Sequence, residues 1–212
     1  MTSPLGTYAV LLLDVNGLTG SDDVKPSRHE ALKAALLAAA ERLYRSGAWV
    51  ATVVVARQAA PLHYFTRDAG VTREALESIR LGPRGLVLSE GVKESLYMLL
   101  SAPPGYALRL IIFSGGGFRL GHPPHPLAFF ARSSGVVIDA LIVSRSPPPR
   151  GDIEVLEALC GETGGVWEHA STREEAVAKA VMLASRSVGA RPGRVWRPGL
   201  GLYPPRQLYT GT

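Results

Sequence analysis

Hydrophobic and polar positions along this chain change period repeatedly, and the changes lay out a series of strands and helices. Residues 7–14, Thr-Tyr-Ala-Val-Leu-Leu-Leu-Asp, are almost wholly apolar, stop abruptly at Asp14, and lead into the turn-like Asn16-Gly17. An unbroken apolar run predicts a strand buried on both faces. Its abrupt end delivers one carboxylate to the carboxyl edge of a parallel sheet, where open α/β folds keep their sites. Residues 27–45 have the Ala/Leu-rich spacing of a long helix, with Pro26 placed where a first turn tolerates it and Ser46-Gly47 as the stop.

The same reading continues to residue 186. Residues 48–56 predict a second strand, and 62–65 return beside it as an antiparallel edge. Residues 72–79 predict a short helix with Thr72 as N-cap, and 89–101 a helix stopped by Pro103-Pro104-Gly105. Residues 107–113 are a buried strand running into Ser114-Gly115-Gly116-Gly117, followed by a proline-rich loop, His122 to Pro126, and a helix over 127–133. A strand over 136–143, a helix over 152–160, a short strand over 166–169 and a helix from Arg173 to about Arg186, capped by Ser171-Thr172, complete the pattern. The order β-α-β-β-α-α-β-α-β-α-β-α predicts a three-layer, Rossmann-like α/β fold. Its central sheet is mainly parallel with one antiparallel edge strand, and helices cover both faces. Residues 1–187 form the domain, and 188–212 form a Pro/Gly/Arg/aromatic tail that is extended and either solvated or docked on a groove.

Composition narrows the picture. A chain of 212 residues with 46% hydrophobic content can bury one full core. Its apolar stretches are strand-sized, so no transmembrane helix is expected, and Met1 to Gly6 does not resemble a signal peptide. Cys160 stands alone, which excludes an internal disulfide framework and a cysteine-rich zinc site. A reducing, cytoplasmic setting is expected. Arg outnumbers Lys by 19 to 4, with one Asn and two Gln. That bias fits a hyperthermophile and fits a GC-rich genome equally well. Of the net charge of +5, four units lie in the tail on Arg191, Arg194, Arg197 and Arg206, so the body is close to neutral.

Three segments are expected to meet at the carboxyl edge of the sheet: Asp14-Val15-Asn16-Gly17-Leu18, Gly85-Leu86-Val87-Leu88-Ser89, and Phe113-Ser114-Gly115-Gly116. With these in order, residues 7 to 187 resemble a von Willebrand factor A (vWA) domain. Residues 156–167, with Thr163-Gly164-Gly165 at their centre, look like that family's late helix, turn and final strand. In the family the three segments read Asp-x-Ser-x-Ser, a Thr after Gly, and Thr-Asp-Gly, and together hold one divalent cation. Here Asp14 and Asn16 keep oxygen donors, while Leu18, Leu86 and Gly115 stand where the second Ser, the Thr and the second Asp belong. A hard cation needs about six oxygen ligands, so the expectation is a degenerate site with no metal and no cofactor.

Within the family the likeness is greatest to the vWA subunit of the transcription and repair factor TFIIH. It rests on Asp23 to Arg28, Ser95-Leu96-Tyr97, Pro104-Gly105, Arg109 to Ser114 and Cys160 to Gly165. The vWA ubiquitin receptor of the proteasome has a related pattern. The resemblance implies a non-enzymatic scaffold that binds a protein partner, an XPD-like helicase, in DNA repair or transcription. Cysteine-rich zinc modules that follow the vWA domain in the TFIIH subunit are not present, so interactions made through them are not implied.

The residues themselves leave alternatives. Asp14 is either a surviving ligand or an acceptor for turn amides. The triple glycine is either a phosphate-cradling loop or a replacement for lost ligands, although no P-loop Lys follows it. Ser114 and Ser89 have no His/Asp partner, which argues against a hydrolase triad. Cys160 reads as core. The expected interaction surface comprises Ser114, Gly116, Gly117, Phe118, His122 and His125. In the tail, Arg191, Arg194, Trp196, Arg197, Tyr203 and Arg206 interleave cations with aromatics. That pattern suits weak single-strand nucleic-acid contact or a strap packed on the domain's own surface.

Overall fold

The computed structural model describes residues 4–118 and 124–189. Its elements are β1 (Thr7–Asp14), α1 (Arg28–Arg45), β2 (Trp49–Val55), β3 (Ala59–Thr66), α2 (Ala69–Ser78), α3 (Leu88–Leu100), β4 (Ala107–Ser114), α4 (Pro124–Ser133), β5 (Val136–Val143), α5 (Arg150–Leu156, continued as a π-helical turn Glu157–Gly161), β6 (Trp167–Ala170) and α6 (Arg173–Ser185). The six strands form one sheet in the order β3-β2-β1-β4-β5-β6, with only β3 antiparallel to its neighbour.

Both faces of the sheet are covered, which is why β1 reads as a continuous apolar run. Ala9, Leu11 and Leu13 pack into one core with α1 and α6, while Val10 and Leu12 pack into the other with α3, α4 and α5. Each fully buried Leu contributes about 1.5–3 kcal/mol. Gly165 is fixed by close approach, because a Cβ there would stand 1.8 Å from the Ile138 carbonyl oxygen. At the opposite edge of the sheet from Asp14, buried Arg109 holds Asp139 and also donates to the carbonyls that end α6, at Leu183, Ala184 and Arg186. Among the described residues no helix is long and apolar enough to cross a membrane.

Local chemistry corrects several expected boundaries. Ser27 caps α1 by accepting from the Glu30 N–H, so Pro26 precedes the helix instead of sitting in its first turn. α2 starts at Ala69 with Asp68 as its cap; Thr72 is not a cap but a buried residue, its hydroxyl shared with Tyr44 and His63. α4 starts at Pro124, so His125 and Pro126 belong to a helical turn and not to a loop. Proline fits there because a first turn does not use its N–H. β3 is longer than expected, α5 begins at Arg150, and β6 is shifted by one residue.

Candidate functional site

Strand order reverses between β1 and β4, since β2 and β3 extend the sheet to one side and β5 and β6 to the other. Open α/β sheets form a crevice at such a point. Asp14 ends β1 and Ser114 ends β4, and both side chains are buried there.

Protein donors occupy both oxygens of Asp14. The Asn16 N–H and Nδ2 donate to Oδ1 at 2.9 and 2.6 Å, and Ser114 Oγ and the Gly115 N–H donate to Oδ2 at 2.7 and 3.3 Å. Asn16 Oδ1 accepts in turn from the Leu18 N–H at 2.8 Å, which closes the turn. Burial pushes the Asp14 carboxyl above its ordinary value, against the pull of those hydrogen bonds. Beyond Ser114 the chain turns through Gly116 and Gly117, whose φ angles of 80° and 73° favour glycine. The Gly117 N–H then donates to Asp152 Oδ2 at 2.6 Å, in the first turn of α5.

A second tie crosses the same edge. Arg28, the first residue of α1, donates Nε and Nη2 to the two carboxylate oxygens of Asp23 at 2.6 and 2.7 Å. Its Nη1 donates to the Gly115 carbonyl at 3.0 Å, and the Arg145 N–H donates to Asp23 Oδ2 at 3.1 Å. One Arg–Asp pair thus joins the loops that follow β1, β4 and β5. The Arg28 guanidinium holds the Asp23 carboxyl well below the usual carboxylate range.

No protein-family model matches the sequence, and no curated protein sequence aligns with it significantly. Solved structures do match. BatB from Bacteroides thetaiotaomicron superposes with a TM-score of 0.71 at 18% identity, over 86% of this chain and 100% of that one. The SpRpn10 VWA domain gives 0.69 at 13% identity, over 88% and 98%. Proximal thread matrix protein 1 from the mussel byssus, solved with a zinc-occupied MIDAS motif, gives 0.68 at 16% identity, over 85% of this chain and 46% of that one. The fold is the von Willebrand factor A fold.

Set in the vWA fold, the expected site residues divide into three groups. Asp14, Asn16, Ser114 and Gly115 come together at the edge as a hydrogen-bonded cluster. Leu18 is beside them but half exposed, and Leu86 is buried in the core under α3. Gly116 and Gly117 border the cluster, with Gly117 exposed, whereas Phe118 is half-buried and packs in part against the α3–α4–α5 core. His125 is exposed on α4. His122, Arg191, Arg194, Trp196, Arg197, Tyr203 and Arg206 lie outside the described residues. Sequence reasoning gave no role to Asp23, Arg28 or Asp152, although Asp23 and Arg28 bound the stretch that carried part of the vWA resemblance.

The residues present do not fit the divalent cation that a MIDAS motif holds. Both oxygens of Asp14 are engaged, the Asn16 oxygen is turned to the Leu18 N–H, and Leu18 and Leu86 carry no donor. The position of a second carboxylate is also crowded: a Cβ on Gly115 would stand 3.0 Å from Thr19 Cγ2, in tight contact, and 3.5 Å from Arg28 Cδ. Among the described residues no three His, Cys, Asp or Glu side chains converge to hold an ion. A hard cation needs about six oxygens, with anionic charge to offset its dehydration.

Proposed function

We propose that this chain is a non-enzymatic protein-interaction domain that recognises its partner at the carboxyl edge of the sheet without a metal. The observation that carries the reading is the saturation of Asp14 by protein donors, with the Arg28 guanidinium set against Gly115. These hydrogen bonds hold the three loops in place, so a cation is not needed to organise the surface. Leu18 is exposed there, and Leu81, also exposed, packs against Gly20 of the same loop. Together they offer apolar contact area for a protein. The Ser114 hydroxyl donates a hydrogen bond to a buried carboxylate and has no histidine against it among the described residues, so we read it as a structural link and not a nucleophile.

The narrower reading is an accessory subunit of an XPD-like helicase in repair or transcription. It rests on the sequence likeness to the TFIIH vWA subunit, and Asp23 and Arg28 of that likeness form the clamp across the edge. Affinity capture with the intact chain tests both levels. An XPD-like helicase should be retained equally in chelator and in Mg²⁺, and lost with Leu18→Glu. Capture that requires a divalent cation would overturn the metal-free reading. Recovery of only proteasomal or only membrane-complex proteins would overturn the helicase assignment.

A further inference from the structure

Exposed arginines gather at the carboxyl edge of the sheet. Arg57 lies in the turn between β2 and β3, Arg80 and Arg84 in the loop between α2 and α3, and Arg145 just after β5. Among the described residues none of the four is in an ion pair. Every Asp and Glu of the chain is among those residues, so no other acidic side chain is left to pair with them. Acids close by are already taken: Lys25 holds Asp22, Arg28 holds Asp23, and Lys93 holds Glu90. Glu77, at the end of α2, pairs with none of the four.

Contacts make this a continuous surface. Arg57 Nε donates to the Arg84 carbonyl at 3.1 Å, which sets the two residues at one turn. The Arg84 stem lies against Gly17, where a Cβ would stand 3.2 Å from Arg84 Cγ. Leu18 comes next, 48% exposed, and Leu81, 41% exposed, lies against Gly20 of the same loop. On the other side of that loop the Arg145 N–H donates to Asp23. Strand order explains the arrangement, since β1 lies between β2 and β4, with β5 beyond β4. Two exposed leucines are therefore flanked by Arg57, Arg80 and Arg84 on one side and by Arg145 on the other.

We infer that the partner recognised at this edge presents an acidic peptide segment carrying an apolar side chain. The inference rests on the metal-free interaction reading above and adds the chemistry of the partner. Guanidinium forks match carboxylates in charge and in geometry, and Leu18 and Leu81 give the apolar residue a place to bury. Nucleic acid fits this surface less well, because strand-binding proteins stack bases on aromatic side chains. Among the described residues the exposed aromatics, Tyr64, Tyr97, Phe129 and Phe130, are on β3, α3 and α4, and none is in the loops that form the patch.

Selection of a random peptide library on the immobilised full-length chain, in chelator, tests this. Enriched peptides should be net acidic with at least one Leu, Ile, Phe or Trp. An enriched peptide, synthesised and titrated in solution, should bind about tenfold more weakly to the double variant Arg57→Gln, Arg84→Gln, which removes two exposed charge contacts. Arg45→Gln, at the far end of α1, should leave its affinity unchanged. Unaltered melting of the double variant shows that the fold is intact. No enrichment, or enriched peptides that are neutral or basic yet lost with Leu18→Glu, would overturn the inference and leave the metal-free reading standing. Tighter binding of oligo(dT) than of the peptide, lost in the same double variant, would overturn it in favour of nucleic acid. Peptides that bind only when Mg²⁺ is added would instead overturn the metal-free reading, and this inference with it.

Discussion

Arg109 donates to Asp139 through Nε at 3.0 Å and Nη2 at 2.6 Å, joining adjacent strands where both side chains are almost wholly buried. Asp139 also accepts through Oδ1 from Arg186 and from the Val166 N–H at 3.0 Å, so one carboxylate fastens β4, β6 and the end of α6. Removing one partner of a buried pair costs about 3–5 kcal/mol, because the other charge is left uncompensated. Asp139→Ala should therefore lower the unfolding free energy by about that much in denaturant titration. Arg132→Ala, which breaks an exposed pair, should cost under about 1 kcal/mol.

Two glycines should tolerate no side chain. A Cβ at Gly91 would come within 2.8 Å of Leu12 Cδ1 and 3.0 Å of Val55 Cβ, where α3 crosses the sheet. At Gly165 the obstacle is backbone, which cannot rotate away. Overpacking costs about 1–3 kcal/mol and sometimes more. Gly165→Ala should sit at or above the top of that range and Gly91→Ala inside it, read as shifts in the denaturation midpoint at constant slope.

Acid should weaken the fold in two stages. Burial holds His63 and His29 below their ordinary value of 6.5, so the unfolded chain binds more protons there and stability is lost as pH falls below about that value. The second stage begins near 4.5. Lys179 holds Glu175 down at about 2, and Arg28 holds Asp23 well below 3.8, so both contributions are present above those ordinary values and fade on acidification. Asp14 works in the opposite sense, since its raised value makes protonation favour the native state. Unfolding measured from pH 7 to 3 should show both losses. Arg28→Met should flatten the lower one, and His63→Gln the upper.

Much of this architecture was legible because period and burial agree. The apolar run over 136–143 matches β5 residue for residue, and the uninterrupted run before Asp14 signalled burial on both faces. Asp14, Asn16 and Gly115 were assigned to one edge correctly, because strand ends fix where a loop begins. The local bonds from Asn16 answer to the turn-amide acceptor that Asp14 offered in sequence, whereas those from Ser114 and Gly115 were not legible, since they join residues 100 and 101 positions apart. His125 was placed in a loop because proline on both sides suggests one, yet first-turn geometry accommodates those prolines. Arg109 and Asp139 left one usable trace: each is a single charge inside an apolar strand, and Arg109 pairs in register with Val137, two residues before Asp139 on the same face. Opposite charges so placed on neighbouring buried strands must meet. The π turn at 157–161 had no signal in the helical spacing, and is held by Thr163 Oγ1 donating to the Leu159 and Cys160 carbonyls.

The central claim is that hydrogen bonds to Asp14, and not an ion, organise the interaction edge. Titration calorimetry of Mg²⁺, Mn²⁺ and Zn²⁺ into the intact chain, repeated on Asp14→Ala, addresses it directly. The account predicts no saturable heat for any of the three, a melting temperature unchanged by chelator, and a destabilised Asp14→Ala variant that has lost its turn acceptor. Stoichiometric binding to the unmodified chain that disappears in Asp14→Ala would contradict it.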